Sequence, residues 1–293
     1  MGPGHPECPE RLDAISDQML SSGLISYLQE LEVDAPVSDA ALLRVHAKDY
    51  IDRLQRMTPQ QGLVEIDADT LLNPYSLTAA RHAAGAAVMA VDQIIDGQAS
   101  SAFCSVRPPG HHAERARSMG FCFFNNVAVA TAHALEHHGL ERVAIIDFDV
   151  HHGNGTENIF AGDERVLMCG FFQHPLYPYS GTQAVSSNMV NVPVPAYSRG
   201  DVVRSLVQEA WLPRLDEFEP QLIVISAGFD AHREDDLAQL GLVEEDYAWM
   251  TKQLVAVADK HAQGRVLSLL EGGYNLSALG RSVVAHVKAL AKL

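Results

Sequence analysis

Val143-Ala-Ile-Ile-Asp147-Phe-Asp149-Val-His151-His152-Gly-Asn154-Gly155 is a short apolar run that ends in potential metal ligands and then breaks at glycine. Four apolar residues without a polar partner among them mark a strand covered on both faces, the pattern of a parallel sheet. Side chains alternate along a strand, so Asp147, Asp149 and His151 are predicted to face one way while Phe148 and Val150 pack behind them. Gly153-Asn-Gly155 interrupts the run ahead of a helix from about Thr156. Open parallel sheets bind ligands beyond such carboxyl ends. The stretch therefore predicts an α/β fold and a metal-dependent hydrolytic centre at one strand end.

The same buried-strand signature recurs at Ala102–Val106, Val166–Cys169, Leu222–Ser226 and Val266–Leu270. Helical spacing separates these runs over Leu77–Ile95, Asn126–His138, Val202–Glu217 and Glu245–His261, and a last helix starts near Leu276. Such alternation implies a mostly parallel sheet with helices on both faces. Val106–Asn125 and Phe171–Arg199 show neither pattern and are expected as long loops, which are usually functional or disordered. No linker, repeat or low-complexity tract divides the chain, so residues 1–293 are read as one domain.

Lys and Arg number 21 against 37 Asp and Glu, a formal charge of -16. Phosphate-backbone binding needs the opposite surplus, which argues against direct nucleic-acid contact. An acidic field draws in cationic substrates or simply aids solubility. Cys8, Cys104, Cys122 and Cys169 form no C-x-x-C pair, and three lie in apolar segments, as suits a reduced, cytoplasmic protein. No apolar stretch reaches the ~18 residues of a membrane span, and Met1-Gly-Pro-Gly-His-Pro6 is no signal peptide. A soluble protein is expected, and nothing in the sequence sets its oligomeric state.

Polar chemistry follows each strand candidate: Arg107-Pro-Pro-Gly-His111-His112, Ala227-Gly-Phe-Asp230-Ala-His232 and Glu271-Gly-Gly-Tyr274-Asn275. A parallel sheet brings these ends to one edge. Asp149, His151 and Asp230 are expected to hold Zn²⁺ with a position open for water and substrate, although oxygen-rich sets also accept Mn²⁺ or Fe²⁺. Of His111 and His112, one suits a general base and the other an electrostatic partner, with Asp147 and Asn154 the nearest acceptors. Tyr274, beside Gly272 and Gly273, suits a donor to an oxyanion. The plainer alternative makes Asp149 and Asp230 caps, His151 a core residue and Tyr274 a lid over a turn; clustering of ligand types weighs against it. His133, His137 and His138 share a helix with no carboxylate in view and are expected at the surface.

Gly4-His-Pro-Glu-x-Pro-x-Arg11, Arg107-Pro-Pro-Gly-His-His-Ala113, Gly120-Phe-Cys-Phe-Phe-Asn-Asn126, Asp147-Phe-Asp-Val-His-His-Gly-Asn-Gly155, Ser226-Ala-Gly-Phe-Asp-Ala-His232 and Glu271-Gly-Gly-Tyr-Asn275 occur in order over nearly the whole chain. Together they resemble the zinc-dependent histone deacetylase family, and Arg-Pro-Pro-Gly-His-His with Asn154 resembles its class II branch and the bacterial amidohydrolase and acetylpolyamine amidohydrolase relatives. The resemblance implies an arginase/deacetylase-like three-layer αβα fold whose mostly parallel central sheet has about eight strands. It implies one catalytic Zn²⁺ on Asp149, His151 and Asp230, His112 as base and acid, His111 as its companion and Tyr274 as oxyanion donor. Asp147 then pairs with His111 and Asn154 with His112, and Gly120, Phe121, Tyr177, Leu237 and Gly272 border the substrate tunnel. A structural K⁺ on the backbone carbonyls of the Asp147–His151 segment is also implied.

The implied reaction hydrolyses the amide of acetyl-lysine in proteins or peptides to acetate and free amine. A small acetylated amine such as an acetylpolyamine is the alternative substrate. Polyamine deacetylases of the family carry an acidic gatekeeper where Leu237 aligns, and Glu234, Asp235 and Asp236 lie just before it. Two other readings compete: a ureohydrolase of the same fold, for which aspartates for a second ion are too few, and a non-catalytic acyl-ligand binding protein, against which every reactive position is filled. Relatives carry a short strand upstream of Gly-His-Pro-Glu, so the first strand of the sheet is expected to be missing.

Overall fold

The computed structural model describes residues 1–293 except Pro3, Asp34 and Ala184. Helices α1 (Glu10–Ser21), α2 (Asp39–Leu42) and α3 (Lys48–Met57) precede a small antiparallel hairpin of β1 (Val64–Glu65) and β2 (Leu71–Leu72). There follow α4 (Ser76–Ile95), β3 (Ser101–Cys104), α5 (Asn126–Glu136), β4 (Val143–Asp147), α6 (Asn154–Phe160), β5 (Val166–Gln173) and β6 (Met189–Val194). The chain continues through α7 (Gly200–Leu206), α8 (Leu212–Phe218), β7 (Leu222–Ala227), α9 (Glu244–His261), β8 (Val266–Leu270) and α10 (Leu276–Leu290). Between α7 and α8 one π-helical turn spans Val207–Trp211, so the helical stretch predicted over Val202–Glu217 is continuous but carries a π-helical insertion. Pro213, at the start of α8, has no N–H to continue the preceding ladder.

Six parallel strands form the central sheet in the order β3-β8-β7-β4-β5-β6. The sheet thus has six strands among the described residues rather than about eight. The segment ahead of α1 makes turns, and the hairpin pairs only with itself. The expected loop over Phe171–Arg199 also differs, since it holds the end of β5 and all of β6. Pro193 disguised β6; the strand tolerates it because β6 lies at the sheet edge.

Alternation within β4 produces the layers. Ala144 and Ile146 join a core with Ile15 and Met19 of α1, Leu254 of α9 and Val283 of α10. Val143 and Ile145 join a second core with Ala84 and Val91 of α4 and Val127 and Ala130 of α5. The sheet is therefore sandwiched between two helical layers, an αβα arrangement. Among the described residues no helix is long and apolar enough to cross a membrane, and all four cysteines are free.

Register levels the strand ends that carry the chemistry. Asp147 is opposite Ser226 of β7 and Gly170 of β5, and Ser226 is opposite Leu269 of β8. Caps tie the loops to that edge. Asn125 accepts from Ala128 N at 2.9 Å as it starts α5, while its Nδ2 donates to Ala113 O and Thr156 Oγ1. One side chain thus joins the His111-His112 loop to the segment after β4.

Candidate active site

Beyond β4, Asp149, His151 and Asp230 bring one donor atom each to within 4.8 Å of one another. His151 Nδ1 lies 3.0 Å from Asp149 Oδ1 and 3.2 Å from Asp230 Oδ2. Buried Asp230 Oδ2 has no hydrogen-bond partner. A Cβ on residue 272 would meet that oxygen at 2.0 Å, so only glycine lets the backbone in, and Gly272 N donates to Asp149 Oδ2 at 2.9 Å. Burial and the nearby Asp149 push the Asp230 carboxyl up to about 6. Burial opposes ionisation of Asp149 too, but His111 and His151 outweigh it and hold its carboxyl far below the usual range. His151, despite burial, is pushed up to about 10 by the two carboxylates. Two ionised carboxylates and one imidazolium leave a buried negative charge uncompensated, whereas a divalent cation with neutral His151 makes the set electroneutral. The residues present fit a divalent metal.

The His111 and His112 rings lie 4.0 Å apart and are driven in opposite directions. His111 Nδ1 is 3.0 Å from Asp147 Oδ2; burial alone would lower it, but Asp149, Asp147 and Glu271 raise it well above its ordinary value. His112 is lowered well below that value by burial and by the positive fields of His111 and His151. Its Nδ1 lies 2.7 Å from Asn154 Oδ1. Asn154 Nδ2 donates to Glu114 Oε1 at 2.9 Å, which leaves Oδ1 as the acceptor and puts the His112 proton on Nδ1. Nε2 then carries the free lone pair.

All five sequence-predicted wall residues, Gly120, Phe121, Tyr177, Leu237 and Gly272, line one cavity of about 240 Å³ with His111, His112, His151 and Tyr274. Gly120 has φ +55°, and a Cβ there would sit 2.3 Å from His112 Cδ2. Tyr177 meets the His112 ring edge-on at 5.3 Å, and Phe121 meets Tyr274 in the same way at 5.9 Å. Leu176 and Tyr179 also face the cavity, but Tyr177 is the aromatic residue of that segment against His112. Of Glu234 to Leu237, only Leu237 lines the cavity; Glu234 pairs with Arg281 at 2.9 Å, and Asp235 accepts from the backbone N of Tyr274 and Asn275.

The histone deacetylase domain model matches residues 5–290. The chain belongs to the histone deacetylase family. It is 39% identical to a histone deacetylase-like amidohydrolase of Pseudomonas aeruginosa, over 93% of this chain and 73% of that protein. It is 37% identical to the polyamine deacetylase HDAC10 of Homo sapiens, over 97% of this chain and 45% of that protein. The crystal structure of the HDA15 HD domain superposes with a TM-score of 0.92 at 34% identity, covering 98% of this chain and 82% of that one. The deacetylase is thus a hydrolase with the arginase/deacetylase α/β fold.

Several residues around the deacetylase site had no assigned part in the sequence reading. Glu271 is fully buried, with its carboxyl pushed up to about 7 by burial. Its Oε2 accepts from Gly110 N at 2.7 Å and His111 N at 3.1 Å, pinning the turn that presents both histidines. Buried Arg11 donates to Gly273 O at 2.7 Å and Glu271 O at 2.5 Å and lies 5.0 Å from the Tyr274 ring centroid. Both residues sit inside matched motifs, the one signal that could have found them. Asp69, in the hairpin turn, lines the cavity as well; its Asp67-Ala-Asp69 pattern was the available cue. The expected surface placement holds for exposed His137 but not for His133, which is buried, and a carboxylate is in reach after all: Asp92 of α4 lies 2.7 Å from both His133 and His138. A carboxylate 41 residues away in sequence is invisible to local spacing.

Asn154→Asp places a negative charge on His112 Nδ1 and favours its protonated form. With His112 as the base, the acid limb of kcat/KM is expected to move to higher pH by about one unit. A pH profile of purified variant and parent checks this; an unmoved limb removes His112 as the titrating base.

Proposed function

We propose that this deacetylase hydrolyses the side-chain amide of acetyl-lysine in peptides or proteins, in the cytoplasm, with one Zn²⁺ held by Asp149, His151 and Asp230. The observation that carries the reading is geometric: two imidazoles 4.0 Å apart, one bonded to the Asp147 carboxylate and the other to the Asn154 amide, line an aromatic cavity beside the buried Asp149, His151 and Asp230 cluster. Bound there, Zn²⁺ supplies a Lewis acid for the acetyl carbonyl and lowers the pKa of a water. His112 removes the water proton at Nε2 as oxygen attacks the acyl carbon. Tyr274 donates its hydroxyl hydrogen to the developing oxyanion, and imidazolium His111, paired with Asp147, steadies the negative charge. Collapse breaks the C–N bond, and His112 returns its proton to the leaving nitrogen. The products are acetate and a free amine. Phe121 and Tyr177 enclose the alkyl chain and keep water from it.

Leu237 supports a peptide substrate, because it sets an apolar side chain at the cavity wall, while Glu234 pairs with Arg281, Asp235 with the Tyr274 backbone, and Asp236 is absent from the lining. Asp69 on the same cavity favours a second reading, a small acetylated amine carrying a further cation. A panel of acetyl-lysine peptides, acetylputrescine and acetylspermidine with Zn²⁺-loaded protein separates the two. The peptides are expected to give the highest kcat/KM, and Leu237→Glu is expected to shift the preference toward acetylspermidine by about tenfold, the effect of ~1.4 kcal/mol of added attraction. A parent enzyme that prefers acetylspermidine overturns the peptide assignment.

A further inference from the structure

α5 leads into the first residue of β4, so its last turn lies at the sheet edge opposite the catalytic one, where the last turn of α4 also ends. At this far edge Asp92 of α4 meets His133 on α5 and His137 and His138 just past its end. The four residues each offer one donor atom, all within 4.8 Å of one another. His133 Nε2 and His138 Nε2 converge on the same oxygen, Asp92 Oδ1, each at 2.7 Å. The His133 and His137 rings stack at 4.7 Å with 14° between their planes, the arrangement of an i, i+4 pair on one helix face. Two histidines at that spacing form a chelating pair for transition metals.

We propose that Asp92, His133, His137 and His138 bind a second divalent ion of the Zn²⁺, Ni²⁺ or Cu²⁺ class. Three imidazoles and one carboxylate select these borderline cations over Mg²⁺ and Ca²⁺, which require mainly oxygen ligands. With metal–ligand distances of about 2.0–2.1 Å, neighbouring donors of a tetrahedral shell stand about 3.3 Å apart. Asp92 Oδ1 has only to draw back from each 2.7 Å contact by about half an ångström, and its side chain is 40% exposed. Exposed His137 leaves the ion a route in from solvent. Arg44 is the built-in competitor: its Nη1 lies 3.0 Å from His133 Nδ1, and a neutral imidazole that coordinates through Nε2 must carry its proton on Nδ1. Metal binding therefore displaces Arg44. The ion would tie the ends of two helices that cover one face of the sheet.

The test counts Zn²⁺ per chain after chelator treatment and dialysis against the metal alone. Full-length parent is expected to hold two ions, His137→Ala/His138→Ala one, and Asp149→Ala/Asp230→Ala one. In the last variant Ni²⁺ is expected to raise the melting temperature by a few degrees, and adding His137→Ala/His138→Ala should abolish the rise. Loss of the ion from the catalytic-edge variant, or a parent and histidine variant that hold the same number, overturns the second site. Neither result bears on the catalytic cluster, which the histidine variant reports separately.

Discussion

His112→Ala is expected to lower kcat by about 10³-fold or more, within the range for loss of a positioned acid-base group, and His111→Ala by less. The two rings lie 4.0 Å apart and their environments differ in the charge of their partners. His112 is bonded through Nδ1 to a neutral amide, Asn154, whose orientation Glu114 fixes. Burial and its positive neighbours favour its neutral form, which presents Nε2. His111 is bonded to a carboxylate, Asp147, and its Nε2 lies 3.8 Å from a second one, Asp149. Despite burial, those carboxylates favour its protonated form, in which it has no lone pair to offer. Removing His112 deletes the proton carrier, whereas removing His111 deletes a compensating charge. Burial contributes most to the depression of His112 and remains, but loss of the positive neighbour relieves part of it, so the His111→Ala acid limb should move to higher pH while the His112→Ala profile loses that limb. Turnover of a fluorogenic acetyl-lysine peptide, with metal content counted in each variant, checks the order. If His111→Ala is the slower enzyme, the two histidines exchange functions.

The sequence carried this site further than it carried the sheet. Alternation along Asp147-Phe-Asp149-Val-His151 is a local property of an extended chain, and Phe148 and Val150 duly pack into the core behind the acids. Convergence of Asp230 and Tyr274 on that edge followed from topology alone, because parallel strands end together. What stayed hidden depends on pairs distant in sequence or on a tolerated exception. Pro193 signals a loop everywhere except at a sheet edge. Glu271 and Arg11, 260 residues apart, are legible only as motif letters until the fold buries one against the other. Asp92 reaches His133 and His138 because α4 and α5 end at the same edge of the sheet, and no periodicity announces that. Net charge misled in neither direction: the acidic surplus says nothing about which acids reach the cavity, and of the run Glu234-Asp-Asp236 none lines it.

Tyr274→Phe is expected to lower kcat by about 10²-fold, the size of one lost oxyanion donor, with bound metal unchanged. The phenol is raised well above its ordinary value by burial and by the negative charge of Asp230, so it keeps its hydrogen throughout the working pH range and acts as a donor. Its backbone is clamped from outside the metal cluster: Asp235 Oδ2 accepts Tyr274 N at 2.6 Å, Arg11 holds Gly273 O at 2.7 Å, and Phe121 bears edge-on against the ring. Phenylalanine preserves every one of those contacts and removes only the hydroxyl. A loss in kcat at nearly constant KM then isolates an interaction that strengthens as the carbonyl becomes an oxyanion, since a group that merely held the substrate would raise KM instead. Equal turnover of parent and variant, each loaded with metal to the same level, takes Tyr274 out of the reaction and leaves charge stabilisation to the metal and His111.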